Sequence, residues 1–268
     1  MPFKTHDDLG KPRGNTIIWR YMGLDKFLDL ITHSRLFFAN VQNLTDQYEV
    51  SLPSDLARRH VELTEKERSS TLTEEEQDLL KRMSDAIHTL ALVNCWSLGR
   101  TESYALWKVY LGGAQAGVAI RTTLSSLRKA IMEGSDLGGI DIYTGEVEYT
   151  ERLDEDAISV FSLVTMKREF YEYEKEVRLI LLDSEEVAKE AQPVTGIPLT
   201  SVVSPVIKPS PGRYVKVDVP TLVGKLYLSP FMGAWFKDAI VEILKKVQPK
   251  LLKPTPEDRI VMSSILDI

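Results

Sequence analysis

The chain has 268 residues, of which 43% are hydrophobic and 27% charged, and its formal net charge is −6. This composition is typical of a globular protein, and the acidic balance argues against a nucleic-acid binder that relies on a general basic surface. The one cysteine, Cys95, excludes an intramolecular disulfide and fits a reducing compartment, and no zinc-ligand spacing appears. No apolar stretch reaches the roughly 18 to 20 residues of a membrane span, so we expect a cytoplasmic protein without membrane contact.

The first predicted elements are a strand, a helix and a second strand. Residues 1–14 are polar and predict a flexible arm. TIIWRY (16–21) is a short β run, and apolar residues at helical spacing predict a helix over 24–34. LFFANV (36–41) is the second strand, which a loop containing Asp46 and Glu49 follows.

Residues 54–90 are highly charged and rich in helix-forming residues. They predict two surface helices that form an insertion or a lid. A solvated helical hairpin without any chemistry is the simpler interpretation of the same charge pattern.

The second half of the chain alternates strands and helices. The helix SYALWKVYL begins after Ser103 as N-cap and ends at Gly112. The proline-rich region after Asp183 predicts edge strands, such as GRYVKVDV. The other predicted strands are 90–98, 117–122, 139–150, 225–230 and the final VMSSILDI, and the other helices are 123–134, 154–170 and 231–247.

The most suggestive charges lie in KREFYEYEKEVRLILLD, Lys167 to Asp183. VRLILLD is typical of a strand buried on both faces. On a strand, Glu174, Glu176 and Arg178 would project to the same face and open onto a cleft. An exposed helix end with solvated glutamates is the competing interpretation.

These elements predict one α+β domain over residues 1–268, with a mixed, mostly antiparallel sheet flanked by helices and a charged helical insertion. The chain contains no P-loop, no GxGxxG after a strand, no GxSxG and no HExxH. Polar residues placed within strands, such as Arg20, are costly to bury without a partner or a role. Arg20 therefore either contacts a ligand or forms a structural ion pair with a carboxylate such as Glu49 or Glu174.

Four patches resemble the microbial domain-of-unknown-function family 2971: IIWRY with FFANVQNLTDQYE, then CWS, then ALWKVYLGGAQAGVAI, and last FYEYEKEVRL. The resemblance spans about residues 17–245, and it departs from the family pattern at 45–48. The matching residues are Trp19, Arg20, Tyr21, Asn40, Asp46, Tyr48, Glu49, Cys95, Ser97, Trp107, Tyr110, Gly117, Tyr173, Glu174, Glu176 and Arg178.

The order of these motifs also resembles that of ADP-ribosyltransferases: an Arg-bearing first strand, a middle strand ending in Ser and a late strand with E-x-E. This resemblance implies that Arg20 or Tyr21 anchors NAD, Ser97 supports the nicotinamide ribose and Glu176 stabilises a ribosyl cation. Glu174 would orient the acceptor. Trp107 or Tyr110 would offer an aromatic ring to the ligand.

Three functions are compatible with these residues. The first is an ADP-ribosyltransferase-like enzyme in toxin biology or antiviral defence, which uses NAD and modifies a nucleic-acid or protein acceptor. The second is a metal-dependent nuclease or phosphodiesterase-like toxin, in which Asp46, Glu49, Glu174 and Glu176 gather around a divalent metal. The third is a non-catalytic nucleotide or nucleic-acid sensor, whose anion pocket is formed by Arg20, Lys167, Arg168 and Arg178.

Overall fold

The computed structural model describes residues 3–44, 91–134, 140–150, 159–182 and 211–266. This part of the chain is an α+β domain with a mixed, mostly antiparallel sheet, which confirms the predicted fold class. The helical insertion predicted for 54–90 lies outside the described residues. Within them, no helix is long and apolar enough to cross a membrane.

Most elements begin and end within a few residues of the predicted positions. The strands are β1 Phe3–Lys4, β2 Ile17–Gly23, β3 Arg35–Asn40, β4 Ala91–Leu98, β5 Gly117–Thr123, β6 Ile142–Glu146, β7 Glu148–Tyr149, β8 Met166–Lys167, β9 Glu176–Leu182, β10 Gly212–Lys216, β11 Lys225–Leu228 and β12 Ile260–Met262. The α-helices are α1 Leu24–His33, α2 Tyr104–Leu111, α3 Leu124–Gly134, α4 Val160–Thr165, α5 Val219–Leu222, α6 Trp235–Val247 and α7 Pro256–Arg259. A 3-10 helix, Glu169–Glu174, precedes β9.

Strand β4 is the point at which the main sheet forks. One edge of β4 pairs with β9 from Ala91 to Ser97. On the other edge, the start of β4 pairs with β3 and its end pairs with β2. The long path of the sheet is β1-β6-β9-β4-β2-β5-β11-β12, and β3 carries β10 as a side branch. Two strands on one edge of β4 leave a gap between them.

The two faces of the sheet are covered differently. The largest apolar cluster lies on one face, where α1, α3 and α6 supply residues such as Phe27, Leu127 and Ile240. The other face carries two smaller clusters, one with α4 and one with α2. Ser97, Glu176 and Arg178, described below, lie on this second face, because their cross-strand partners lead to Trp19 and Cys95 of these clusters.

The N-terminal segment differs from the predicted flexible arm of residues 1–14. β1 pairs in parallel with β6, and Leu9 is buried. The physical reason lies at Gly145, where a Cβ atom would come within 2.6 Å of Leu9. The missing side chain makes room for Leu9, so burial of an apolar residue fixes this segment on the sheet.

Candidate functional site

Arg20 bridges the fork of the sheet. Its Nη1 donates to the carbonyl oxygen of Cys95 at 2.8 Å, and the Asn94 amide nitrogen donates to the carbonyl of Phe37 at 2.9 Å. Buried main-chain groups need a partner where no neighbouring strand supplies one. Side chains therefore replace the missing ladder hydrogen bonds at the centre of β4, and Arg20 is fixed there.

Arg20 keeps donors for a further partner. The residue is half-buried, and burial lowers the pKa of its guanidinium, although Cys95, Tyr110 and Glu176 act in the opposite direction. The guanidinium carbon also lies 5.8 Å from the centre of the Trp96 ring. Within the described part of the chain its other nitrogens make no hydrogen bond.

Ser97 lies directly beside Glu176 in the sheet. Ser97 of β4 is the cross-strand partner of Glu176 on β9 and of Trp19 on β2. Residues opposite each other in an antiparallel pair project to the same face. Ser97 is 3% exposed, and its hydroxyl makes no hydrogen bond to another described residue. A buried hydroxyl of this kind is suited to contact a ligand beside Glu176.

Glu176 is a buried carboxylate that stays ionised. Its Oε2 lies 2.9 Å from Nη2 of Arg178 and 3.4 Å from Nζ of Lys167. Burial raises the pKa of Glu176, but the charges of Arg178 and Lys167 and hydrogen bonds from Arg178 and Cys95 outweigh it, so the pKa falls to about 2. Glu176 therefore presents a full negative charge at neutral pH.

Lys167 joins the two glutamates predicted as catalytic. Its Nζ donates to Oε2 of Glu174 at 2.9 Å, and both residues are buried. Arg178 is fully buried, and its Nη1 donates to the carbonyl oxygen of Val164 at 2.6 Å. With Arg20, these side chains form a polar cluster with an excess of positive charge, so an anionic ligand is favoured here. We call Arg20, Lys167, Glu174, Glu176 and Arg178 the charged cluster.

The position of Glu174 corrects the sequence prediction. The predicted strand included Glu174, but β9 begins at Glu176, and Glu174 ends the 3-10 helix. Lys175 between them adopts the left-handed conformation, with φ 44°. This turn places Glu174 on Lys167 rather than in the strand. The prediction that the following residues form a strand buried on both faces is confirmed through Leu182.

Tyr110 borders the charged cluster from helix α2. Burial raises the pKa of Tyr110, and the charges of Glu176 and Glu174 raise it further. Its ring stacks on Tyr21 with 6.3 Å between ring centres, and Tyr110 is 40% exposed. This combination of exposure and proximity to both carboxylates fits the predicted contact with a ligand.

Tyr21 and Trp107 support α2. The Tyr21 hydroxyl accepts from the main-chain N–H of Ser103 at 2.7 Å. Trp107 is fully buried, contacts Tyr21 edge-on and donates to Glu102 at 2.9 Å. Core packing covers the faces of Trp107, so of the two aromatic residues predicted to contact a ligand, Tyr110 is the exposed one.

Tyr149 belongs to the site although sequence reasoning missed it. Its hydroxyl accepts from the main-chain N–H of Glu176 at 2.7 Å. Strand-like alternation over 139–150 predicted β structure there, but no local pattern pointed to a partner 27 residues away. Tyr149 fixes the first residue of β9 and thereby the direction of the Glu176 side chain.

Two predicted site residues, Asp46 and Glu49, lie outside the described part of the chain. Among the residues that the structure describes, no group of three or more His, Cys, Asp or Glu side chains is placed to hold a metal ion. Glu174 and Glu176 are instead joined by the ammonium group of Lys167.

Comparisons with known proteins give a distant structural similarity. No family model and no curated protein matches the chain. One solved structure, Thermus sp. 2.9 DarT in complex with ADP-ribosylated ssDNA, is similar to this chain with 12% sequence identity and a TM-score of 0.36. The structural alignment covers 95% of this chain and 97% of the DarT chain. A similarity this distant leaves the function to be argued from the site itself.

Proposed function

We propose that the chain is an ADP-ribosyltransferase-like enzyme that cleaves NAD at the bond between nicotinamide and ribose. One observation supports this above the others. Arg20, Ser97 and Glu176 are far apart in the sequence, yet they lie on the adjacent strands β2, β4 and β9, and the charge of Glu176 acts on the Arg20 guanidinium. The resemblance to ADP-ribosyltransferases implies this order of strands and residues.

Glu176 has the charge that the reaction requires. When the glycosidic bond breaks, nicotinamide leaves with the bonding electron pair and positive charge develops on the ribose. A fixed carboxylate stabilises that charge, and such preorganised electrostatics often form the largest contribution to catalysis. The Glu176 pKa of about 2 keeps the carboxylate ionised throughout the physiological range.

The neighbouring residues have complementary roles in this proposal. Arg20 binds the pyrophosphate through the nitrogens that make no hydrogen bond within the described residues. The Ser97 hydroxyl contacts the ribose beside Glu176. Glu174, held by Lys167, accepts the proton of the acceptor nucleophile as that nucleophile bonds to the ribose. Tyr110 contacts the nicotinamide end through its exposed ring.

We also propose that the chain is a member of domain-of-unknown-function family 2971. In this proposal it is located in the cytoplasm and acts as a toxin or in antiviral defence. The acceptor is a nucleic acid or a protein. Both resemblances rest on the motifs quoted above, and the charged cluster adds the chemistry that they require.

A non-catalytic nucleotide sensor is the second candidate, and one observation favours it. Lys167 and Arg178 already neutralise Glu176, and the charged cluster keeps an excess of positive charge. Such a cluster binds phosphate without needing to break a bond. The nuclease alternative gains no comparable support within the described residues, because they provide no metal-binding group.

The test of the proposed function measures NAD consumption by the purified chain. Nicotinamide release and transfer of labelled ADP-ribose to added nucleic acid or protein are followed together. We expect release in the wild type and a loss of about 100-fold in Ser97→Ala, whereas Ser264→Ala, at an exposed serine, retains the rate. NAD binding without release would favour the sensor, and neither binding nor release would refute the proposed NAD-dependent enzyme.

A further inference from the structure

Two basic side chains lie directly opposite each other at the far end of the sheet from Glu176. Arg121 of β5 is the cross-strand partner of Lys225 of β11, so both side chains project to the same face. Like charges directly opposite each other in a sheet are destabilising. The arrangement therefore calls for a compensating negative charge.

The described part of the chain does not supply that charge. No carboxylate lies within 4.0 Å of Arg121 or Lys225 among the described residues, and no hydrogen bond from either side chain is formed there. Arg121 is half-buried, and Lys225 is exposed. Both charges therefore remain available to a ligand.

The backbone holds the pair together. A Cβ atom at Gly224 would lie 2.8 Å from the carbonyl oxygen of Arg121, so only glycine allows β11 to begin this close to β5. Lys225 follows immediately, which fixes its Cα beside that of Arg121. The antiparallel pairing of the two strands from Lys225 to Leu228 keeps these two Cα atoms opposite each other.

Aromatic rings line one side of the pair. The guanidinium carbon of Arg121 is 6.0 Å from the centre of the Trp19 ring, and the Tyr227 ring is 4.9 Å from Trp19. Trp19 is buried and donates to the carbonyl oxygen of Gly99 at 2.9 Å, so it is a fixed wall. A rigid aromatic wall lowers the entropic cost of holding the arginine in place for a ligand.

The pair lies in the same row of the sheet as the candidate catalytic residue. Glu176, Ser97, Trp19, Arg121 and Lys225 are successive cross-strand partners on β9, β4, β2, β5 and β11. At about 4.8 Å per strand, the Cα atoms of Glu176 and Arg121 are roughly 14 Å apart. This distance separates the pair from Glu176.

From these observations we propose that Arg121 and Lys225 form a second anion site, which binds a phosphate group. A phosphate oxygen that accepts from both side chains removes their mutual repulsion and forms charge-assisted hydrogen bonds. The phosphate comes either from a nucleotide or from free polyphosphate. The site does not depend on the proposed catalysis, because binding there requires neither Glu176 nor turnover.

The experiment is a thermal-unfolding titration at constant ionic strength with three probes: pyrophosphate, AMP and, as a control without phosphate, adenosine. The proteins are the wild type, Lys225→Gln, Arg121→Gln and Lys246→Gln. Lys246 is an exposed lysine of α6, so its substitution removes one positive charge elsewhere. Phosphorus NMR line broadening of each probe measures binding directly.

Without a ligand, we expect Lys225→Gln to melt above the wild type, because the like-charge contact is gone. With pyrophosphate or AMP, the wild type and Lys246→Gln should show a saturable rise in melting temperature. Lys225→Gln and Arg121→Gln should bind at least about tenfold more weakly. A stronger effect of AMP than of pyrophosphate would identify a nucleotide as the source, and the reverse would identify polyphosphate.

Two results would overturn the proposal. The first is a wild-type melting temperature that neither pyrophosphate nor AMP raises. The second is an equal rise in Lys225→Gln, which would assign phosphate binding to the charged cluster instead. Lys225 is exposed, so this variant tests the site even if Arg121→Gln loses stability through its contact with Trp19.

Discussion

The tyrosines Tyr21 and Tyr110 stack on each other but use their hydroxyl groups differently. The Tyr21 hydroxyl accepts from the N–H of Ser103, whereas burial and the charges of Glu176 and Glu174 raise the pKa of Tyr110. The sequence predicted both tyrosines near the site, because each one matches a motif of the family that the chain resembles. It could not separate their roles, because a hydroxyl's partner depends on contacts between residues far apart in the chain.

This difference gives the first prediction. Tyr21→Phe should lower the free energy of unfolding by about 1 to 3 kcal/mol, because it leaves a half-buried N–H without its acceptor. Tyr110→Phe should leave the free energy of unfolding nearly unchanged and slow nicotinamide release by about tenfold. Urea denaturation and turnover on the same samples measure both effects. A stable and fully active Tyr110→Phe would remove its hydroxyl from the proposed site.

The ionisation of Glu176 gives a prediction about acid stability. Its pKa falls from 4.5 to about 2 on folding, so the folded state favours the charged carboxylate. The resulting stability, on the order of 3 kcal/mol, is fully present above about pH 4.5 and is lost as the pH falls towards 2.

The free energy of unfolding, followed by denaturant titration between pH 6 and 2, measures this contribution. Glu176→Gln should lack that part of the acid-induced loss. Glu172→Gln, at an exposed carboxylate of the preceding 3-10 helix, is the matched control and should follow the wild type. Identical pH profiles for Glu176→Gln and wild type would show that the ion pairs with Arg178 and Lys167 do not stabilise the fold.

At the scale of elements, the fork at β4 was beyond sequence analysis although nearly every strand was predicted. Hydrophobic alternation identifies a strand, but it carries no information about which strands share an edge. β2 and β3 were predicted as neighbours in the chain, and only the structure shows that both pair with the same edge of β4. The position of Arg20 follows from that pairing.

The turn before β9 was missed for a related reason. The sequence FYEYEKE alternates aromatic and acidic residues, which favours a strand. A lysine in the left-handed conformation is uncommon, and Lys175 breaks the alternation without any change in the hydrophobic pattern. The prediction therefore placed Glu174 on the same strand as Glu176, which is wrong. It also placed both glutamates in one site, and in the structure Lys167 contacts both of them.

Helix α2 offers a prediction at this scale. The Ser103 side chain accepts from the N–H of Leu106, as the sequence predicted for the N-cap. Ser103→Ala should lower the free energy of unfolding by about 1 kcal/mol, whereas Ser103→Asp should retain most of it. Because α2 carries Tyr110, we also expect slower nicotinamide release from Ser103→Ala. Chemical denaturation and turnover of both variants provide the check, and equal stability would exclude the cap as a stabilising contact.

At the scale of the whole molecule, the two faces of the sheet are covered differently. One face is covered by the continuous apolar cluster under α1, α3 and α6, which accounts for the predicted α+β domain. On the other face the clusters under α2 and α4 are separate, and Ser97, Glu176 and Arg178 lie on that face. Composition and periodicity predict an apolar core of this size. They do not predict where polar residues interrupt the apolar cover of the second face.

The central claim is that Glu176 acts through its charge on a substrate and does not serve only to pair with Arg178 and Lys167. Turnover of NAD per folded molecule by Glu176→Gln, with the melting temperature recorded on the same sample, tests this claim most directly. Glutamine keeps the volume of the side chain and removes its charge, and Glu172→Gln again serves as the matched control. We expect a folded Glu176→Gln whose nicotinamide release is at least about 100-fold slower than that of the wild type. A destabilised variant that retains full turnover per folded molecule would contradict the claim and leave Glu176 as a structural ion-pair residue.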